Sequence, residues 1–225
     1  MEQPQAVIFD LDGLMVDTEP VHQRAFELLL AQRGIPRKFT VEEYGKFFVG
    51  VHVTENARWL IETFHLRGTA NEITAEREEI YERLLQDPSN LRPMPGLIDV
   101  LDLAQSRGLR LGVASGSPRN QVDLILRGLG LIERFGAIVA GTDVARTKPA
   151  PDVYLSAVEK LSAEPGRCVA LEDSATGVRA AKAAGLRAIV VPNQYTAHQD
   201  LSHADARVNN LREAMKVALN GRVVG

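Results

Sequence analysis

The chain has 225 residues, of which 45% are hydrophobic, and this is enough to bury the core of one large domain or of one domain with an insertion. Lysine and arginine number 26 against 29 aspartate and glutamate, and the net charge of -3 argues against nucleic acid or an anionic membrane as a partner. We therefore expect a small soluble substrate.

The single cysteine, Cys168, has no partner for a disulfide and lies in an apolar run, which indicates a core position in a protein of a reducing compartment. The first residues lack the basic segment of a signal peptide. No apolar run approaches the roughly 20 residues of a membrane helix. The sequence therefore predicts a cytoplasmic protein without a membrane partner. A monomer or a weak homodimer is the expected assembly, although no sequence pattern determines it.

A short apolar run, Ala6-Val7-Ile8-Phe9, ends in two acids and a glycine. The run is too short for a separate helix and is typical of a buried strand. Residues two apart on a strand face the same side, so Asp10 and Asp12 would face one site, and Gly13 allows the chain to turn there. An ordinary strand-to-turn junction is the alternative, since Asp and Gly are common in turns.

The segment from Glu19 to about residue 88 has the pattern of consecutive helices and contains no strand-like run. Pro20 suits the first turn of the first helix, and Thr40 and Glu43 have the spacing of a capping box. Further helices are predicted over residues 54–64 and 74–86.

A helical block of roughly 70 residues is too long for a loop, and it predicts a cap domain inserted into a core domain. Both connections of the block lie next to the predicted site, which suits a cap that opens and closes over a substrate. The expected core domain consists of residues 1–17 and 90–225, and the expected cap of residues 18–89.

After Pro93, short buried strands alternate with helices. Such alternation predicts an α/β fold with a doubly wound, Rossmann-like parallel sheet. The active site of such a sheet lies beyond the carboxyl ends of its strands, so the residues after each strand are compared. The strands are predicted over residues 109–114, 137–140, 168–171 and 188–191.

The strand that ends at residue 114 is followed by Ser115, Gly116, Ser117 and Pro118. Free N–H groups at the start of a helix favour an anion, and the Ser115 hydroxyl can add a hydrogen bond to a phosphate. Ser117 is interpreted as the helix N-cap and Pro118 as the first helical residue.

Lys148 is followed by Pro149 and Pro151, which restrict the backbone, and it suits a phosphate or an aspartate nucleophile as its partner. A solvated surface lysine is the alternative.

Glu172 and Asp173 form a second acid pair at a strand end, where carboxylate oxygens suit Mg²⁺. Asp173 as a helix N-cap is the alternative, although Ser174 or Thr176 can fill that role.

These four motifs, in this order and at strand ends, resemble those of the haloacid dehalogenase superfamily hydrolases. The resemblance is to the type with a helical cap after the first motif, which includes β-phosphoglucomutases and phosphoglycolate or sugar phosphatases, and it covers nearly the whole chain. The matching residues are Asp10-Leu11-Asp12-Gly13 with Asp17-Thr18-Glu19, then Ser115, then Lys148 before Pro149, and then Glu172-Asp173.

The resemblance implies that Asp10 attacks phosphorus to form an aspartyl-phosphate, and that Asp12 protonates the leaving oxygen and then activates water. It also implies that Mg²⁺ is held by Asp10, by the Asp12 carbonyl and by Asp173. Glu172 would either bind the ion directly or contact one of its ligands. The residues that would hold the phosphate are Ser115, the Gly116 N–H and Lys148.

In the cap, Glu19 and His22 are candidate substrate contacts, although packing within the cap is the alternative for His22. Trp59 is expected to pack within the cap.

A phosphonate hydrolase would need a cap lysine that forms an imine, and Lys46 is the nearest candidate. Asp12 argues against a dehalogenase, because a halide leaving group needs no proton.

The implied function is a Mg²⁺-dependent phosphatase for a small phosphorylated metabolite, a sugar or polyol phosphate. A sugar-phosphate mutase of the β-phosphoglucomutase type and a catalytically silent binding module are the alternatives.

Mutases that resemble this chain carry a lysine just before the cap glycine and an arginine three residues after it. Around Gly50 this chain has Val49 and Val53 at those positions and only His52 as a potential cation, which favours hydrolysis.

Overall fold

Two compact units make up the chain in the computed structural model, which describes residues 3–49 and 51–220. One unit consists of Met1–Asp17 together with Leu91–Gly225. The other, Thr18–Asn90, contains the helical segment and ends one residue beyond the expected boundary at residue 89.

A single parallel sheet lies in the first unit, in the strand order β3-β2-β1-β4-β5-β6. This arrangement confirms the predicted α/β class with a doubly wound sheet. Within the described residues its strands are β1 (Ala6–Phe9), β2 (Arg110–Ala114), β3 (Ala137–Val139), β4 (Cys168–Glu172), β5 (Arg187–Val190) and β6 (Ala206–Arg207).

The helices of the two units follow one another along the chain, four in the helical unit and five around the sheet, counted over the described residues. They are α1 (Glu19–Gln32), α2 (Val41–Phe47), α3 (Val53–Phe64), α4 (Ala70–Leu85), α5 (Leu97–Ser106), α6 (Arg119–Gly128), α7 (Asp152–Lys160), α8 (Ala175–Ala183) and α9 (Leu211–Asn220). No helix in the part of the chain that the structure describes is both long and apolar enough to cross a membrane.

Strand β1 lies at the centre of the sheet, and all four of its residues are fully buried. Its last residue, Phe9, is level with Val113 of β2 and with Leu171 of β4. Because the three strands are parallel and in register, their carboxyl ends meet at one edge of the sheet. The side chains that follow these strands are therefore brought together.

The core below this edge is formed by one face of the sheet and by α7 and α8. Cys168 belongs to this core, as predicted, and only 1% of its surface is exposed. Burial raises the pKa of its thiol to about 11, so the group is an inert apolar filler.

In the helical unit, α4 packs against both α1 and α3. Trp59 packs within this unit, as predicted, with its ring centroid 5.3 Å from that of Phe48. The capping box at the start of α2 is confirmed, since Thr40 and Glu43 each bond to the other's backbone N–H. Helix α4 begins at Ala70, four residues before the predicted start at residue 74, because Thr69 forms a second capping box.

Candidate active site

Asp10 directly follows β1 at the carboxyl edge of the sheet, where it is only 7% exposed. Its backbone N–H donates to the Leu171 carbonyl at 3.0 Å, which continues the β1–β4 ladder by one residue. This bond fixes the backbone from which the carboxylate projects. The apolar strand therefore holds a carboxylate in a place that water reaches poorly.

Lys148 bridges two of the predicted acids, because its Nζ lies 2.5 Å from Asp10 Oδ1 and 2.6 Å from Glu172 Oε1. The lysine side chain is 9% exposed, so the alternative of a solvated surface lysine does not hold. Burial opposes the charge on this group, but Asp10 and Glu172 outweigh it and raise the pKa of Lys148 above its ordinary value. The ammonium group is therefore charged at neutral pH.

Glu172 is fully buried, and both of its carboxylate oxygens accept several hydrogen bonds. Oε1 accepts from Lys148 and, at 2.8 Å, from the Tyr154 hydroxyl. Oε2 accepts from the backbone N–H groups of Asp173 and Ser174, at 3.1 and 3.3 Å, and from the Ser174 hydroxyl at 3.1 Å. These five donors commit Glu172 to the lysine and to the start of α8.

Three buried acids, Asp10, Glu172 and Asp173, offer ligand atoms that all lie within 4.8 Å of one another. Burial, followed by repulsion from Glu172, raises the pKa of Asp10 to about 8, and Lys148 only partly opposes this shift. The raised pKa shows that one lysine does not balance three ionised acids, so a second cation would favour the charged form of Asp10. An all-oxygen donor set with excess negative charge fits a hard divalent cation.

Asp12 is half-buried, and the structure brings it together with the two serines after β2. Its Oδ2 accepts from the Ser117 hydroxyl at 2.7 Å and lies 3.4 Å from the Ser115 hydroxyl oxygen. Ser115 itself is fully buried, and its oxygen accepts the Ser117 N–H at 3.0 Å. Gly116, between the two serines, is exposed. The first and second motifs therefore form one hydrogen-bonded group.

The prediction that Ser117 caps a helix beginning at Pro118 is wrong. Helix α6 begins at Arg119, and Pro118 stands at its N-cap without a side-chain bond. The Arg119 N–H donates instead to the Thr142 hydroxyl at 3.0 Å. Ser117 is free for Asp12 because a residue from another segment satisfies the helix start. At the start of α8, by contrast, Ser174 is the N-cap, so the alternative that Asp173 caps this helix does not hold.

Two polar residues of this edge were not among the predicted site residues. Tyr154 lies in the first turn of α7, where a tyrosine among apolar residues indicates only a core position. Asn193 follows β5, and its Nδ2 donates to Asp173 Oδ2 at 2.8 Å and to the Gly13 carbonyl at 3.2 Å. The comparison of strand ends could have found Asn193, since β5 is the sheet neighbour of β4.

A cavity of about 290 Å³ borders this edge of the sheet. Gly13 and Asn193 belong both to its wall and to the hydrogen-bonded group around Asp173. The cavity therefore adjoins the acidic cluster. Its lining residues are Gly13, Asp17, Met94, Asn193, Gln194 and Tyr195.

Two predicted substrate contacts, Glu19 and His22, lie in the helical unit. Glu19 accepts a hydrogen bond from the Tyr44 hydroxyl at 2.8 Å. The His22 ring stacks on Tyr81, with centroids 4.0 Å apart, and its Nδ1 contacts the Arg77 guanidinium. Burial and the nearby Arg77 lower the pKa of His22 well below its ordinary value, so the ring is neutral and cannot attract a phosphate by charge.

The positions compared with sugar-phosphate mutases also belong to the helical unit. Gly50, at the centre of this stretch, is outside the described residues. His52 is the N-cap of α3, and its Nδ1 accepts the Thr54 N–H at 3.3 Å. Lys46 is exposed, with its Nζ 5.2 Å from the centroid of the Phe47 ring. Neither side chain forms a buried cationic site.

Comparisons with known proteins agree with the family resemblance. The haloacid dehalogenase-like hydrolase family matches residues 4–185. Protein CbbY of Rhodobacter capsulatus is 34% identical over 96% of this chain and 97% of its own length. Hexitol phosphatase B of Escherichia coli is 34% identical over 83% of each protein. The crystal structure of CbbY from Rhodobacter sphaeroides with phosphate superposes with a TM-score of 0.77, at 33% identity, over 92% of this chain and 95% of that one.

Proposed function

Because the chain belongs to the haloacid dehalogenase-like hydrolases and is a phosphatase-type enzyme, we propose that it is a Mg²⁺-dependent phosphatase of small sugar or polyol phosphates. We propose further that it works through an acyl phosphate (aspartyl-phosphate) intermediate on Asp10. The observation that carries this proposal is the buried Asp10 carboxylate, held by Lys148 at 2.5 Å beside two further acids. This arrangement suits a nucleophile that attacks an anionic phosphorus centre.

Lys148 contacts two acids of the cluster, Asp10 and Glu172. Glu172 is fully buried and accepts from five donors, so Asp10 is the proposed nucleophile. The charged lysine lowers the repulsion between the carboxylate and a dianionic phosphate, and it stabilises the charge that develops on the transferred group. Ser115 and the Gly116 N–H, at the end of β2, are the proposed partners of the other phosphate oxygens.

The residues that would hold Mg²⁺ are Asp10, Asp173 and the main-chain carbonyl of Asp12. When bound, the ion supplies positive charge to the phosphate oxygens. Glu172 has its carboxylate committed to five donors, among them Lys148 and Tyr154, which supports an outer position for this acid. Its role is to keep the lysine in place.

Asp12 is the proposed acid and base because it lies two residues after the nucleophile in the same loop and its half-buried carboxylate is oriented by the Ser117 hydroxyl. As an acid it protonates the leaving oxygen of the ester. As a base it then takes a proton from the water that attacks the aspartyl-phosphate. The same carboxylate thus serves both half-reactions.

Asp12→Asn should slow the hydrolysis of alkyl phosphates by about 10²–10⁴-fold and that of p-nitrophenyl phosphate much less, because a nitrophenolate leaves without a proton. The measurement is kcat/KM for p-nitrophenyl phosphate and for glycerol phosphate in the variant and the wild type. Equal losses for the two esters would remove Asp12 from the role of acid.

The relatives support a sugar or polyol phosphate as substrate, since one of them is a hexitol phosphatase. The test is phosphate release by the purified protein from a panel of sugar, polyol and carboxylic acid phosphates, with Mg²⁺ and with EDTA. We expect hydrolysis of sugar or polyol phosphates that EDTA abolishes. A preference for phosphonates or haloacids, or no hydrolysis at all, would contradict the proposal.

Hydrolysis is favoured over phosphoryl transfer to a second position of the sugar, because a mutase must hold a second phosphate by charge. In the described part of the helical unit the buried cation is Arg77, whose guanidinium donates to Glu78 at 2.7 Å and lies over the rings of Phe26 and Tyr81. The Arg77 guanidinium therefore already has partners within the helical unit, which argues against its holding a second phosphate.

With β-glucose 1-phosphate and a bisphosphate primer, we expect free phosphate and glucose rather than glucose 6-phosphate. The two products are followed in parallel, with a phosphate assay and with a glucose 6-phosphate dehydrogenase assay. Accumulation of glucose 6-phosphate would identify a mutase.

A further inference from the structure

We propose that Asn193 is a positioning residue for the divalent-cation site and acts through the Asp173 carboxylate. This inference rests on the proposed function, because it assigns to a neutral side chain the task of orienting a cation ligand. Asn193 lies in the loop after β5, beside the loop that carries Asp173 after β4. It is not one of the acids or cations of the four motifs.

The orientation of the Asn193 side-chain amide is determined by two backbone N–H groups of its own loop. Its Oδ1 accepts the backbone N–H groups of Tyr195 and Thr196, at 2.8 and 3.2 Å. Its backbone N–H donates to the Thr196 hydroxyl at 3.1 Å. Since Oδ1 faces two N–H donors, Nδ2 must face the opposite side, toward Asp173.

Both N–H bonds of Nδ2 are used, and they join two loops of the site. One donates to Asp173 Oδ2 at 2.8 Å and the other to the Gly13 carbonyl at 3.2 Å. Gly13 follows Asp12 in the loop of the proposed nucleophile, so one amide holds the two acidic loops in a fixed relation.

Gly13 is suited to this contact for two reasons. Its φ is +78°, a left-handed conformation that glycine adopts without strain. A Cβ at this position would lie 2.6 Å from Asp173 Oδ2 and 2.9 Å from Asn193 Nδ2. Only a residue without a side chain therefore allows the close approach of the two loops.

The two acids after β4 have partners of different charge. Glu172 is paired with the ammonium group of Lys148, which compensates its negative charge. Asn193 is neutral, so its bond fixes the direction of the Asp173 carboxylate and adds no positive charge beside it. A cation ligand that is held in a fixed direction binds a divalent ion more strongly than one that rotates freely.

The test is Mn²⁺ binding to the full chain without substrate, followed by electron paramagnetic resonance. Asn193→Ser keeps an oxygen that can accept the Tyr195 N–H, but this side chain is too short to reach Asp173. We expect its Kd for Mn²⁺ to rise by about 10–100-fold. We also expect the Mg²⁺ concentration for half-maximal activity to rise by a similar factor, while kcat at saturating Mg²⁺ changes little.

Thr196→Val is the matched control, because it removes a hydrogen bond from the same loop and leaves the Asn193 amide on Asp173. We expect its Kd for Mn²⁺ to equal that of the wild type. Wild-type affinity in Asn193→Ser, or an equal loss in Thr196→Val, would overturn the role of Asn193. A wild-type protein that binds no Mn²⁺ would instead overturn the proposed cation site itself.

Discussion

Asp10→Asn should lower kcat for p-nitrophenyl phosphate by at least about four orders of magnitude, because the amide keeps the shape of the side chain but cannot attack phosphorus. The substitution also removes a proposed cation ligand. The measurement is the steady-state rate at saturating Mg²⁺, in preparations free of other phosphatases. A variant that retains a tenth of the wild-type rate would remove Asp10 from the role of nucleophile.

The fold of this variant should remain intact, and its stability gives an independent check. Without metal, the pKa of Asp10 in the folded protein is raised to about 8, whereas the pKa of an aspartate in an unfolded chain is about 4. Between these values the folded state holds a proton that the unfolded state has lost, so wild-type stability falls as the pH rises.

Asparagine has no proton to lose in this range. The difference in Tm between Asp10→Asn and the metal-free wild type should therefore shift in favour of the variant from about pH 5 to about pH 8. Thermal unfolding in EDTA at several pH values measures this shift. A difference in Tm that is independent of pH would contradict the raised pKa of Asp10.

Lys148→Met should reduce both activity and stability. The substitution leaves the buried carboxylates of Asp10 and Glu172 without their shared cation, and breaking a buried ion pair in this way costs about 3–5 kcal/mol of unfolding free energy. The loss of charge at the phosphate should lower kcat by at least about 10²–10³-fold. Urea unfolding and steady-state kinetics measure the two effects.

Lys182→Met is the matched control for this variant, because Lys182 also pairs with an aspartate, Asp205, at 2.7 Å. Its side chain is 38% exposed, and such surface pairs contribute only about 0–1 kcal/mol. We expect wild-type activity and nearly wild-type stability. Similar losses in the two variants would show that the buried position of Lys148 has no special importance.

The sheet and the acidic edge were predictable because they depend on short apolar runs and on the polar residues directly after each run. All four strands predicted after Pro93 agree with the structure to within one residue at each end. Asp10 and Glu172 lie side by side because β1 and β4 are parallel and Phe9 is level with Leu171. The two-residue strand β6 was missed because so short a segment has no periodicity to detect.

Side-chain direction was the part that the sequence pattern could not provide. Ser117 stands in a position that is typical of a helix cap, but its hydroxyl bonds to Asp12 because Thr142 supplies the bond at the helix start. Tyr154 has the character of an ordinary core residue and donates to Glu172. Each of these contacts depends on a segment distant in the chain, which local patterns do not encode.

The measurement that bears most directly on the proposed mechanism is chemical trapping of the phosphorylated enzyme. The protein is mixed with p-nitrophenyl phosphate and Mg²⁺, quenched within milliseconds and reduced with borohydride, which converts an aspartyl-phosphate to homoserine. Mass spectrometry of the peptides should find homoserine at position 10, and none should form in EDTA or in Asp10→Asn. Phosphate release at the wild-type rate, with no modified residue at position 10, would contradict Asp10 as the nucleophile.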